Sequence, residues 1–141
     1  MISVVAKMGW KIHQMDMKTA FLNGLLQEEV YLEKPQGFEV YERDSHVCRL
    51  KKALYGLKQA PWTWYSMIDS YLLSIGFRKS ATNPNLYYIV VGGVLFILLL
   101  YVDDLFITGW EHLIDAYKKD RASKFKMTDL GLMHYYLGKE V

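Results

Sequence analysis

Apolar residues in this chain fall into runs of two different periods. Residues 86–91 (LYYIVV) and 94–102 (VLFILLLYV) are apolar, β-branched and aromatic. Gly92-Gly93 between them is the two-residue spacing of a tight hairpin turn, so two antiparallel strands are predicted. The second run is apolar on both faces, which predicts a central strand covered by helices. It surfaces at Asp103-Asp104, and residues 105–108 resume as a third strand, placing both carboxylates at a hairpin tip. Upstream, residues 10–15 (WKIHQM) read as a strand with Trp10 and Ile12 on one face, delivering Asp16 at its C-terminal end.

Helical spacing marks two further segments. In 61–75, Pro61 suits a first turn, Tyr65, Ile68, Leu72 and Ile75 share one face, and Gly76 suits a left-handed C-cap. After 108, Thr108 and Glu111 have the spacing of a capping box, and Leu113, Ile114, Tyr117, Arg121 and Phe125 continue on one side. Smaller expectations are a helical turn at 19–22 ended by Asn23-Gly24, short strands at 30–33 and 47–50, and a last strand at 133–141.

Composition alters this picture in one respect. The 141 residues carry no repeat, low-complexity tract or linker, so they read as one domain, or one piece of one. An apolar fraction of 52% with 15% aromatic residues is high for such a chain, which implies a large core or apolar surface that expects a partner. The formal charge of +2 permits nucleic-acid binding without arguing for it. Cys48, the single cysteine, excludes a disulfide framework, and the four histidines lack zinc spacing. No membrane span is expected: the most apolar stretch, 86–102, is split by Gly92-Gly93 and closed by two acids.

Paired acids in a loop are ordinarily solvated turn residues. Here they follow nine consecutive apolar residues, where a buried strand emerges. That placement suits nucleotidyl transfer, in which a 3′ hydroxyl attacks an α-phosphate in line and negative charge grows on both attacking and leaving oxygens. Two divalent ions about 3.5–4 Å apart meet that demand, and two or three aspartates from adjacent strand ends are the expected protein contribution. A metal-dependent phosphohydrolase could use the same three acids, and would need no template.

Five ordered blocks carry a resemblance: HQMDMKTAFLNG (13–24), EEVYLEKPQGF (28–38), CRLKKALYGLKQAPWTWY (48–65), YVDDLFITG (101–109) and DLGLMHYYLG (129–138). Together they span nearly the whole chain, which resembles the reverse transcriptase of copia-type long-terminal-repeat retrotransposons. The resemblance implies an α+β fold, part of a right-hand polymerase palm, with an antiparallel sheet and helices packed on one face. It implies RNA-directed DNA polymerase activity in which Asp16, Asp103 and Asp104 bind two Mg2+ ions, with Mn2+ as a substitute and Asp104 as the less direct ligand. Phe21 matches the bulky residue that crowds the sugar 2′ position, and Tyr101 and Val102 would complete a nucleotide-binding set. Tyr55, Gly56, Lys58 and Gln59 match the segment near the primer-template. Arg49, Lys51, Lys52 and Lys58, interleaved with Tyr55, Trp62 and Trp64, would extend it as a basic, stacking track.

The implied partners are an RNA or DNA template with primer, deoxynucleoside triphosphates, and the fingers, thumb and ribonuclease H segments of the same polyprotein. A cytoplasmic particle is the location the family implies. The chain departs from the family at Trp62, where arginine is usual, and at Thr128, where lysine is common; each change removes a cation. The family's fingers segment precedes Trp10, and its thumb and ribonuclease H domain follow Val141. A palm without them is expected to expose apolar surface and to be poorly soluble. The alternative is a catalytically inactive remnant of a decayed retroelement.

Overall fold

The computed structural model describes residues 1–18, 20–23, 25–33, 37, 47–52, 54, 56–121, 124–136 and 139–140. In chain order the elements are α1 (Ile2–Met8), β1 (Ile12–Met17), a 3-10 turn (Ala20–Asn23), β2 (Leu25–Leu32), β3 (Cys48–Lys52) and α2 (Ala60–Ser74). There follow β4 (Arg78–Lys79), β5 (Leu86–Val91), β6 (Val94–Tyr101), β7 (Asp104–Thr108), α3 (Glu111–Arg121), β8 (Met127–Leu132), β9 (Tyr135–Tyr136) and β10 (Lys139–Glu140). The chain divides into two compact units, one of residues 1–20 and 68–141 and the other of residues 21–67, with the division falling inside α2.

The larger unit is an α+β domain built on a six-stranded sheet in the order β4-β5-β6-β7-β1-β8, antiparallel at every pairing. The predicted hairpin is present: Val91 pairs with Val94 around Gly92 and Gly93, both at positive φ as a tight two-residue turn requires. β6 is an interior strand, as its two-faced apolar run predicted, and Leu98 and Leu100 on it are buried. Fully burying a side chain such as Leu98, Leu105 or Ile107 contributes roughly 1.5–3 kcal/mol, so these central strands supply much of the unit's cohesion.

Strand alternation sorts the core into two layers. On one face Ile12, Phe106 and Leu99 pack with Val5 of α1, Met133, Met1 and Trp10. On the other, Phe96 meets Phe77 and Tyr117 of α3 edge-on or tilted, with ring centroids 5.8 and 5.3 Å away. Tyr87 on that face donates its hydroxyl to Asp69 of α2, which also holds Lys79 at 2.7 Å. The two helices predicted from periodicity therefore share one face. α1, where no helix was predicted, lies on the other.

α2 runs one residue earlier than expected and ends on Gly76, whose φ of 96° is the left-handed cap the sequence called for. The expected capping box does not form. Thr108 is completely buried as the last residue of β7, its hydroxyl donates to the Lys11 carbonyl at 2.8 Å, and α3 begins only at Glu111, so Thr108 is held in the strand and is not the residue that flanks the helix. The first turn of α3 closes instead on the Trp110 carbonyl, which accepts from the N–H groups of Leu113 and Ile114. Phe125 lies beyond the helix, buried edge-on to Tyr71 with centroids 4.9 Å apart. The last strand expected at 133–141 is replaced by two short ones, β9 and β10, which pair with each other.

The smaller unit holds the two-stranded sheet β2-β3, longer than the predicted pieces and irregular between Leu25 and Val30. Arg49 on β3 and Glu29 on β2 form an exposed ion pair at 2.9 Å. The helical turn expected at 19–22 appears at Ala20–Asn23.

Candidate metal centre

β1 lies between β7 and β8, and the ladder sets the site. Asp16 pairs with Asp104 on β7 and with Thr128 on β8, so these three side chains stand in one row on one face of the sheet. Asp16 is the penultimate residue of β1, which runs on through Met17. The Met17 N–H donates to the Asp103 carbonyl at 2.9 Å, anchoring the neighbouring turn to β1. Thr128, one of the two positions where the resemblance leads a cation to be expected, thus falls directly beside an aspartate.

The turn that carries the acids is a tight one. Tyr101 pairs with Asp104 across β6 and β7, leaving Val102 and Asp103 as the loop. Val102 has φ of 57°, a conformation in which a β-branched residue is strained, and it is about half exposed, as is Tyr101. Asp103 and Asp104 are half-buried, as is Asp16. Strain held at a loop between two buried strands is a common mark of a functional site.

One partner of the acids was missed in the sequence. Gln14, two residues before Asp16 and therefore on the same face, donates its Nε2 amide to Asp104 Oδ1 at 2.9 Å. Period-two alternation along β1 already placed the two side chains together; only the ladder shows that β7 brings Asp104 within reach.

Among the described residues no three of His, Cys, Asp and Glu converge into a ready-made ion cage. The donor set nonetheless fits a hard divalent ion. Magnesium is usually held by one or two carboxylates, with substrate phosphates and water completing its shell, and an opposed pair of carboxylates beside a third supplies that arrangement.

The remaining predicted residues lie in the smaller unit. Phe21 is half-buried in the 3-10 turn. Gly56 is exposed with φ of 94°, a left-handed conformation that favours glycine. Lys58 is exposed, while the Gln59 carbonyl accepts from the Thr63 N–H and hydroxyl, both at 2.9 Å, at the start of α2. Tyr55 lies outside the described residues. Of the expected stacking residues Trp62 is 73% exposed, but Trp64 is buried at 2% and cannot stack on a base. The helix period explains it: Trp64, Ile68, Tyr71 and Leu72 form the buried stripe of α2.

Comparison with known proteins decides the family. The family model described as reverse transcriptase (RNA-dependent DNA polymerase) matches residues 1–141. The chain belongs to this family. Its reverse transcriptase relatives include the retrovirus-related Pol polyproteins from transposon RE2 of Arabidopsis thaliana, 40% identical over 99% of this chain, and from transposon TNT 1-94 of Nicotiana tabacum, 44% identical over 99%. The Pol polyprotein from transposon RE1 of Arabidopsis thaliana is 41% identical over 99%. The resemblance to copia-type reverse transcriptases therefore holds along the whole chain. The chain spans about a tenth of the length of these curated relatives, 10%, 11% and 10% respectively. No solved structure matches it. Among the described residues no helix is long and apolar enough to cross a membrane.

Proposed function

We propose that this chain is the palm portion of an RNA-directed DNA polymerase of a copia-type retrotransposon, with Asp16, Asp103 and Asp104 as its metal-binding acids. The observation that carries the reading is the direct opposition of Asp16 and Asp104 on neighbouring strands, beside a strained turn that also holds Asp103. Like charges opposed on a sheet are unfavourable. A divalent cation between them relieves that repulsion, and membership of the reverse transcriptase family supplies the chemistry that uses one.

When bound, two Mg2+ or Mn2+ ions would supply activation of the primer hydroxyl and neutralisation of the triphosphate. The chain's own residues do the positioning. Asp16 and Asp104 present carboxylates from adjacent strands, and the bond from Met17 to Asp103 holds the turn against β1. Tyr101 and Val102 of the larger unit, and separately Phe21 of the smaller, are each proposed as nucleotide-binding residues, with Phe21 favouring a sugar that lacks a 2′ hydroxyl. Gly56, Lys58 and Gln59, with Tyr55, form the proposed primer-template segment. The template, primer, deoxynucleotides and remaining polyprotein segments are the proposed partners.

The test joins this chain to the fingers, thumb and ribonuclease H segments of an intact relative and measures Mg2+-dependent, RNA-templated incorporation of deoxynucleotides. Incorporation that falls at least about a hundredfold in Asp103→Asn is the expected result, given the charge stabilisation at stake. Equal incorporation by Asp103→Asn sinks the metal assignment. No incorporation by the restored wild-type sequence favours the inactive remnant.

A further inference from the structure

We infer that Gln14 is the positioning residue for Asp104, holding one carboxylate oxygen so that the other stays turned toward Asp16 and the cation they share. The inference rests on the metal-binding reading of the aspartates and names a residue outside the acidic set.

Three observations support it. The bond is short, 2.9 Å from Gln14 Nε2 to Asp104 Oδ1, and partly buried, where water competes poorly. Its direction is chemically determined: an ionised carboxylate only accepts, so the amide must present its NH2 group. The amide also has room, because Gln14 faces Gly131 on β8, where a side chain would have open space around it. Glycine at that cross-strand position presents no side chain to the amide, whose bond is made to Asp104 on the opposite neighbour, β7.

The chemistry of glutamine suits the task. An amide donor satisfies one lone pair of a carboxylate that offers about four, so Oδ2 remains open to a cation. A lysine in its place would bring a positive charge that competes with the ion; an apolar residue would leave Asp104 free to turn away from Asp16, which like-charge repulsion favours. Fixing a side chain before it binds is worth about two- to tenfold in affinity.

The experiment measures Mn2+ binding to the 141-residue chain by electron paramagnetic resonance, so that polymerase activity is not needed. Gln14→Met keeps the length and removes the donor. It is expected to weaken Mn2+ binding by about two- to tenfold, with circular dichroism and thermal midpoint reporting that the fold is intact. Asp104→Asn is expected to weaken binding at least as much, and Gln14→Met added to Asp104→Asn to change it no further, since the two residues act as a pair. Should Gln14→Met fail to fold, Gln14→Leu, which likewise lacks a donor and adds no charge, takes its place with the same expected loss. Unchanged or tighter Mn2+ binding in the folded Gln14 variant, with Asp104→Asn weakened, overturns the role of Gln14 and leaves the metal reading standing. Binding indifferent to Asp104→Asn overturns the metal reading itself.

Discussion

Asp16 on β1 and Asp104 on β7 are cross-strand partners, two like charges at a pairing that a purely structural sheet would fill with complementary side chains. Cross-strand charge pairs are worth about 0.2–1 kcal/mol. Asp16→Asn is therefore expected to raise the stability of the metal-free chain by about that amount while weakening Mn2+ binding. Urea denaturation with and without Mn2+ checks both halves, and a variant less stable than wild type in chelator contradicts the repulsion.

The turn before Asp104 stores strain of its own. A non-glycine residue in the left-handed region costs roughly 1–2 kcal/mol, and glycine gives back about 0.5–1 of that through its greater unfolded freedom. Val102 has φ of 57°, so Val102→Gly is expected to be neutral to stabilising by up to about 1.5 kcal/mol. Thermal unfolding decides it; a clear loss of stability would show that Val102 is held by contacts stronger than its backbone strain.

Gly109, which ends the run YVDDLFITG, is required for space. A Cβ there would stand 3.0 Å from the Leu95 carbonyl oxygen and 3.3 Å from Phe96 Cα, both backbone atoms of β6. Neither can move without disturbing the strand that leads into the aspartate turn. Gly109→Ala is expected to cost about 1–3 kcal/mol in a denaturation experiment, whereas Gly131→Ala, with open space around it, carries only the backbone cost of its φ of 82°.

Acid is expected to lower the chain's stability in two steps, through two groups that share Lys118. Its Nζ donates to His13 Nδ1 at 2.9 Å and to the Asp129 carboxylate at 2.8 and 2.9 Å, tying α3 to β1 and β8. Burial, then the Lys118 ammonium, hold the His13 imidazole below its usual range, against the partial offset of Asp129, Asp115 and Glu111. Burial pushes the Asp129 carboxyl up, but hydrogen bonds from Lys118 and the Gly131 N–H outweigh it and leave it below the usual carboxylate range. Between the lowered His13 value and about 6.5 the unfolded chain binds more protons, so stability declines as pH falls through that window. The Asp129 contribution is present above about 3.9 and is lost as pH falls further through its lowered folded value. His13→Gln is expected to abolish the first decline and keep the second, read from urea midpoints across a pH series. An unchanged upper decline in His13→Gln would assign it to another group.

Much of the fold was legible because its signals are local. The two-residue turn at Gly92-Gly93, the apolar run into Asp103 and the span of α2 up to its cap at Gly76, with Ile68 and Leu72 on its buried face, are each encoded within a few neighbouring positions. Tyr65 and Ile75, expected on that face, are only half-buried, and Trp64 and Tyr71 take their place. β8 was not legible: its Met127–Leu132 segment is an edge strand with polar and glycine positions, and it exists because β1 offers it a ladder. Thr108 misled for the same reason. Its spacing to Glu111 is that of a cap, but burial between strands turned its hydroxyl to Lys11.

For the site, the sequence alone determined which acids to consider and which family they resemble, since motif order along a chain needs no contacts. Tertiary structure alone decided that Asp16 faces Asp104, that Thr128 stands at its other side, and that Gln14 reaches across to a carboxylate 90 residues away. Strand register is the reason. It is set by the packing of a whole sheet, and a slip of one residue would have turned Asp16 to the opposite face.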